Sequence, residues 1–378
     1  MRHGSFTIQS EQSLGQKIAS IHWGLVFLIV IIACVGFVAL YSAAQGSMDP
    51  WAKKQMVRFV VGIVAMFVVA FIDVRWWYKL SYPIYGAGLL LLVLVEIMGH
   101  IGMGAQRWIN LGFIQLQPSE VMKIVTVMAL ARYFHGMTLE DRRKIIYLIP
   151  AGAMIAAPVG LVLLQPDLGT ALMIVMAGIG MIFIAGAPLR LFIGGGAAAL
   201  AAIPIYWRFF MHDYQKQRVL TFLHPESDPL GAGYHIMQSK IALGSGGLEG
   251  KGFLEGTQSR LNFLPEKQTD FIFTLWAEEW GFTGGVFLLA LFGAVFLYGT
   301  WIAFRSKHDY GRYLALGISI NFSLYVFINI AMVMGLIPVV GAPLPMISYG
   351  GTSMLAALGG FGLLLSCGLY RYSKVTRV

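Results

Sequence analysis

Charge is scarce in this sequence: Asp, Glu, Lys and Arg make up 12% of 378 residues, against roughly 25% in an ordinary soluble domain. That scarcity excludes water as the main solvent of the chain. Cysteine is rarer still, with only Cys34 and Cys367, both inside apolar runs, where thiols behave as small core groups. A disulfide framework and a cysteine metal site are therefore excluded. Acid is the scarcer sign, with 18 Asp and Glu against 27 Lys and Arg. The net charge of +9 lies in short segments between apolar runs, which suits anionic lipid rather than nucleic acid. No repeat of 20–50 residues is present, and no soluble domain is hidden in the chain.

What the chain has in abundance is apolar length. Hydrophobic residues form 57% of it, and runs of about 20 residues, enough to cross a hydrocarbon core at about 1.5 Å per residue, recur from Trp23 onward. The pattern predicts an all-α polytopic membrane protein: one integral membrane domain, 1–378, with ten spans. These fall near residues 22–42, 56–72, 80–99, 118–134, 145–164, 169–186, 189–207, 271–303, 311–336 and 346–370. The first run, Gly24 to Tyr41, is too long for the apolar region of a signal peptide and is expected to be a retained span. With both termini on one side, that side collects Arg2, Arg75, Lys79, Arg132, Arg142, Arg143, Lys144, Arg305 and Arg371 among others. The opposite short loops carry only Lys53, Lys54, Arg58 and Arg107. The positive-inside rule then places both termini in the cytoplasm and the one long polar segment, 208–270, outside. That loop contains a turn-rich stretch from His224 to Pro229, an expected amphipathic helix from Tyr234 to Leu243, and a glycine-rich stretch from Gly244 to Gly256.

Three acidic motifs stand where a span begins on the outer face: Gln117-Pro118-Ser119-Glu120, Gln165-Pro166-Asp167, and Asp270. Helix starts expose unpaired N–H groups and the positive end of the dipole, which can hold an anion such as pyrophosphate or keep a carboxylate ionised. Taken singly, each motif is better explained by an N-cap, at Asp167 and Asp270, or a first-turn proline, at Pro118 and Pro166. Lys123 lies three residues after Glu120, on nearly the same helix face. An ionisable pair at that depth either lines a polar cavity or ties helices together. Glu278 lies about 80° around from Asp270 and about 12 Å deeper, with Glu279 nearly opposite; a structural pairing role is expected there. The run Gly244 to Gly252 superficially matches a phosphate-binding loop but has Ser245 where the first glycine belongs and Gly252 after Lys251. The last outer turn, Leu336 to Gly351, is too rich in Pro and Gly for a regular helix and is expected to be either re-entrant over a site or a rigid linker.

Several segments together resemble the SEDS family (shape, elongation, division and sporulation). They are Gly104 to Ile109, Gln117 to Lys123, Gln165 to Thr170, Phe263 to Phe273 and Ile347 to Ser353. Gly256 to Phe263 and Pro338 to Pro345 are similar to the elongation rather than the division members; Lys267-Gln268 departs from the Arg-His of many relatives. The resemblance implies a peptidoglycan glycosyltransferase of the bacterial cytoplasmic (inner) membrane. It would polymerise lipid II on the outer side beside a class B penicillin-binding protein, a transpeptidase of the elongation machinery. The family's essential loop aspartate maps onto Asp270. A sugar hydroxyl is a weak nucleophile, so Asp270 is expected to be the general base. Arg107, Glu120, Lys123, Gln165 and Asp167 are expected in the substrate cavity, with Arg218 and Lys240 as further cations for pyrophosphate. A divalent cation, Mg2+ or Mn2+, would take Asp270 or Asp167 as ligand. The rival reading is a lipid II flippase using the same cavity. The apolar faces of spans eight and nine are candidates for docking a partner helix.

Overall fold

A computed structural model describes residues 13–376 apart from 99, 103–104, 111–114, 210, 212, 229–231, 262 and 264–265; of 98, 100–102, 105–106, 110, 214, 218, 227, 232 and 259 it describes the backbone alone. Gly104, Asn262, Leu264, Pro265 and the side chain of Arg218, all among the residues singled out above, lie outside this description.

A short helix, α1 (Leu14–Ala19), is closed by a Ser13–Gln16 capping box and leads into α2 (Trp23–Ala43). Then follow α3 (Ala52–Phe71) and α4 (Val74–Met98). Between α4 and the next long helix the chain forms three strands: β1 (His100–Gly102), β2 (Ala105–Asn110) and β3 (Gln115–Leu116), all antiparallel in the order β1-β2-β3. The span pattern did not anticipate this sheet, which carries Arg107 on β2. Next come α5 (Pro118–His135), the single turn α6 (Leu139–Arg142), α7 (Ile145–Leu164), α8 (Leu168–Ile184) and α9 (Leu189–Phe209). The long loop contains α10 (Asp213–Leu223), a 3-10 turn at Pro225–Ser227, α11 (Ala232–Ser245) and α12 (Thr257–Arg260). The chain ends with α13 (Ile272–Arg305), α14 (Asp309–Val333) and α15 (Gly351–Leu369).

Ten helices thus stand close to the ten expected positions. Eight of them are long and apolar enough to cross a membrane. Of the other two, α8 is shorter, and α5 carries Glu120, Lys123 and Arg132 within its 18 residues. The bundle is layered around α5, α14 and α15: α15 packs on α3, α14 on α13, α5 and α8, and α13 also on α2. In contrast, α9 buries no residue at all. Helices that are apolar all round need no amphipathic face, because lipid solvates whatever the bundle leaves uncovered.

One expected span is not a simple helix. α13 is broken at Gly281, whose φ of 65° and ψ of −162° lie outside helical values. A helix break leaves backbone groups unpaired at membrane depth, which must be satisfied elsewhere. The glycine-rich stretch supplies the partners: Lys251 and Gly252 N–H groups donate to the Glu278 and Glu279 carbonyls, and Phe282 and Thr283 N–H groups donate to Gly247 and Leu248. A Cβ at Gly246 would stand 2.3 Å from the Ala277 carbonyl oxygen. The glycines therefore permit backbone-to-backbone docking, and no phosphate loop is formed.

The segment between α14 and α15 is irregular, yet Ala342, Leu344, Met346, Ile347 and Ser348 in it are buried. It threads between α2 and α8. Added Cβ atoms would lie 2.6 Å from the Met346 carbonyl oxygen at Gly36 and 2.2 Å from the Val340 carbonyl oxygen at Gly169. Irregular backbone is tolerated here because it is enclosed by protein. The helix at the last expected span accordingly begins at Gly351 rather than near 346.

Candidate active site

Asp270 sits on a turn-rich segment, 266–271, two residues before the buried start of α13. The segment is tied to the irregular 336–350 segment by main-chain carbonyls. Tyr349 N–H donates to the Gln268 carbonyl (2.8 Å), Ser348 Oγ to the Thr269 carbonyl (2.6 Å), and Asn329 Nδ2 to the Asp270 carbonyl (2.9 Å). Thr269 N–H and Oγ1 both bond back to Glu266, closing the turn. The backbone of Gly341, in the left-handed region at φ +70°, passes beside the carboxylate: a Cβ there would be 3.6 Å from Asp270 Oδ2. Among the described residues no donor reaches the Asp270 carboxyl group. Burial, with a smaller contribution from the neighbouring Glu266 charge, pushes its pKa up to about 6. Such a group is ionised at neutral pH and still basic enough to accept a proton there.

Deeper in the bundle the charged pair of α5 is confirmed as a pair. Lys123 Nζ is 2.7 Å from Glu120 Oε1, and both side chains are buried. Tyr325 of α14 donates its hydroxyl to Glu120 Oε2, and its ring lies 4.3 Å from Lys123 Nζ, with Met173 of α8 on another side of the ammonium. Three helices thus converge on one ion pair. Beside it lies a narrow cavity of about 30 Å3 lined by Glu120, Asn321, Tyr325, Pro343, Pro345 and Ser353 together with apolar groups, room for about one water. The Asn321 side-chain oxygen is buried without a partner, so the cavity presents a polar acceptor as well as a carboxylate.

The second acidic motif is spent on structure. Asp167 caps α8, its Oδ1 accepting from Thr170 N–H (3.1 Å) and its Oδ2 from Thr170 Oγ1 (2.9 Å) and Gln117 Nε2 (3.4 Å). Gln165 is buried and donates to the Leu92 carbonyl. Arg107 Nε and Nη2 bond the Gln165 and Pro166 carbonyls at 2.9 and 2.6 Å. The Arg107, Gln165 and Asp167 motifs are therefore brought together, as one brace between β2, α5 and α8. Lys240, on α11, lies with its stem over Gly335 at the end of α14. It has neither a hydrogen bond nor an ion pair among the described residues.

Glu278 is bound as expected of a structural acid: Lys251 Nζ (2.8 Å), Gln258 N–H (3.0 Å) and Thr257 Oγ1 (3.2 Å) all reach its Oε1. Glu279 accepts from Ser42 of α2. For a divalent cation, Asp167 does not fit, because both of its oxygens are already taken. Asp270 offers a single carboxylate, and among the described residues no three His, Cys, Asp or Glu cluster; no step is derived through a metal.

Sequence reading overlooked the contribution of α14. Asn321, Tyr325 and Asn329 recur every fourth residue in an apolar helix, and that spacing was the available signal. It also passed over Gln55 and Arg58 of α3. Gln55 donates to the Ser348 carbonyl (2.9 Å), and the Arg58 guanidinium lies 4.7 Å over the Tyr349 ring.

The model of the cell cycle protein family FtsW/RodA/SpoVE matches residues 18–373. Over 353 residues the chain is 43% identical to the peptidoglycan glycosyltransferase MrdB of Escherichia coli (strain K12), covering 93% of this chain and 95% of that protein. It is 36% identical over 365 residues to stage V sporulation protein E of Bacillus subtilis (strain 168), covering 93% and 97%. A chain from a peptidoglycan synthase complex described for coordination of polymerization and crosslinking superposes with a TM-score of 0.82 at 34% identity, covering 94% of this chain and 99% of that one. The rod shape determining protein RodA of Thermus thermophilus gives 0.70 at 32% identity, covering 94% and 98%. A family match across nearly the whole chain, with relatives and a shared fold at these identities, means that this multi-pass membrane protein belongs to the FtsW/RodA/SpoVE family, the SEDS proteins.

Proposed function

We propose that this chain is a membrane peptidoglycan glycosyltransferase that joins lipid II units into glycan strands, with Asp270 as general base. The observation that carries the role of Asp270 is a carboxylate held by its backbone, without donors among the described residues, and raised to a pKa of about 6 by burial. In the reaction the 4-hydroxyl of one lipid-linked sugar attacks the anomeric carbon of another. The hydroxyl proton passes to the Asp270 carboxylate as the new C–O bond forms, and the bond to the lipid pyrophosphate breaks with inversion. A positioned base contributes about 10² to 10⁴ in rate. The leaving pyrophosphate needs positive charge rather than a proton. Lys123 and Arg107 are committed to Glu120 and to backbone carbonyls, which leaves Arg58 and Lys240 without an acidic partner among the described residues. Glu120 of the Glu120–Lys123 pair then lines the narrow cavity, and the Arg107, Gln165 and Asp167 brace holds β2, α5 and α8 together. The Arg218 side chain lies outside the described residues and keeps only the role its sequence position suggests.

The topology that suits this chemistry has ten spans, both termini in the cytoplasm and the 208–270 loop with Asp270 outside, in one integral membrane domain. The excess of Lys and Arg on the terminal side supports that orientation in a bacterial inner membrane. A class B penicillin-binding protein is the fitting partner, since a polymerase of uncrosslinked strands needs a transpeptidase beside it; the groove between α13 and α14, lined by Phe292, Phe296, Phe322 and Phe327, suits an apolar helix. The test is polymerisation of purified lipid II by the full chain with its transpeptidase in proteoliposomes. Glycan strands from wild type and none from a folded Asp270→Asn variant support the reading. Transbilayer movement of lipid II without any glycan would replace the polymerase with a flippase.

A further inference from the structure

We propose that Asn329 is a positioning residue for Asp270, its side-chain amide clamping the Asp270 backbone to the irregular 336–350 segment and so setting where the carboxylate stands. The inference rests on the general-base reading and adds to it the group that holds the base. Asn329 is fully buried near the end of α14. A carboxamide there is costly unless its hydrogen bonds are made. Its Nδ2 makes two, to the Asp270 carbonyl (2.9 Å) and to the Ala342 carbonyl (2.7 Å), while its Oδ1 has no partner among the described residues. An amide that only joined helices would bond helix to helix. Both donors of Asn329 go instead to irregular backbone: one to the acid itself, the other to the residue after Gly341, whose backbone passes beside the carboxylate. Ser348 adds a parallel link by bonding Thr269.

Asn329 is also the end of a ladder. With Asn321 and Tyr325 it repeats every four residues, about 6 Å per step on one face of α14. Tyr325 holds the Glu120–Lys123 pair and Asn321 lines the adjoining cavity. One rigid helix therefore sets the spacing between the buried ion pair and the base. Rotating or shifting the Asp270 turn would lose that register, and a misplacement of about 1 Å can cost on the order of a hundredfold in rate.

The experiment compares lipid II polymerisation by the full chain with its transpeptidase partner in proteoliposomes, from about pH 5 to about pH 8, the range over which a carboxylate base of this kind titrates. The variants are Asn329→Ala, Asn329→Gln, Ser348→Ala and Asp270→Asn. For Asn329→Ala, kcat is expected to fall about tenfold to a hundredfold with KM little changed. Its acid limb should move to lower pH, because a released turn lets water reach the Asp270 carboxyl; Glu266 is the charged group beside it and is unaltered. Asn329→Gln, which keeps an amide, is expected to recover part of the loss. A folded Asn329→Ala protein with wild-type kcat and acid limb, or one that loses rate only through KM, overturns the clamp. Should Asn329→Ala not fold, Ser348→Ala reads the same release through Thr269, and an unmoved profile there overturns it equally. Wild-type rates from Asp270→Asn would overturn the general-base reading instead, and the clamp with it.

Discussion

Asp270 and Glu278 stand eight residues apart around the start of α13, yet the fold treats them oppositely. Three donors from the glycine-rich stretch and α12 converge on one oxygen of Glu278, whereas among the described residues none reaches the Asp270 carboxyl. A carboxylate whose oxygen is occupied by three donors is fixed in place by them; one that no donor reaches among the described residues, and whose pKa burial raises to about 6, keeps a proton affinity near neutral pH. The comparison separates a structural acid from a poised one although the two stand in the same segment, Glu278 fully buried and Asp270 partly so.

Several experiments sharpen or break this contrast. The largest expected effect is from Asp270→Asn, which should lower polymerisation by about 10² to 10⁴ while leaving the thermal midpoint in detergent unchanged or raised. The sign follows from linkage. The folded-state pKa of about 6 lies above the ordinary 3.8, so the stabilising contribution of this group is present below 3.8 and lost as pH rises through about 6. At neutral pH the ionised group therefore opposes folding, and its neutral isostere does not. A lowered midpoint in Asp270→Asn would break the contrast.

Glu278→Gln should behave in the opposite way. It keeps an oxygen for these donors but removes the ion pair with Lys251, so the thermal midpoint should fall while activity per folded molecule remains. In wild type the pH–rate profile should rise through about 6 with a single ionisation, and Glu278→Gln should leave that limb in place. A shifted limb in this variant would mean that the two acids are coupled. The smallest effect is expected at the Asp167 cap: Asp167→Ala should cost about 1 kcal/mol of helix stability, read as a small drop in thermal midpoint with the acid limb unchanged.

The helices were legible because lipid solvation makes length and apolarity nearly sufficient. The amphipathic helix expected over 234–243 is present as α11, and the Glu120–Lys123 pair is present as a pair. What could not be read was where backbone departs from the helix. Three short strands follow α4, and α13 breaks at Gly281 because distant glycines supply the hydrogen bonds that a break requires. At Asp167 the position at a helix start favoured a cap, and the cap is present, with Thr170 and Gln117 on its two oxygens.

By itself, the sequence determined the solvent of this protein, the approximate place of each helix, and the acids and cations available at the expected outer ends, since these depend on local composition and periodicity. Only the tertiary structure decided which acid is left without donors among the described residues and what holds it. Asn329 meets the Asp270 backbone across 59 residues, and Ser348 meets Thr269 across 79. Contacts over such distances are set by how the helices pack, because hydrogen-bond geometry is a property of neighbours in space and leaves no trace in the local pattern of the chain.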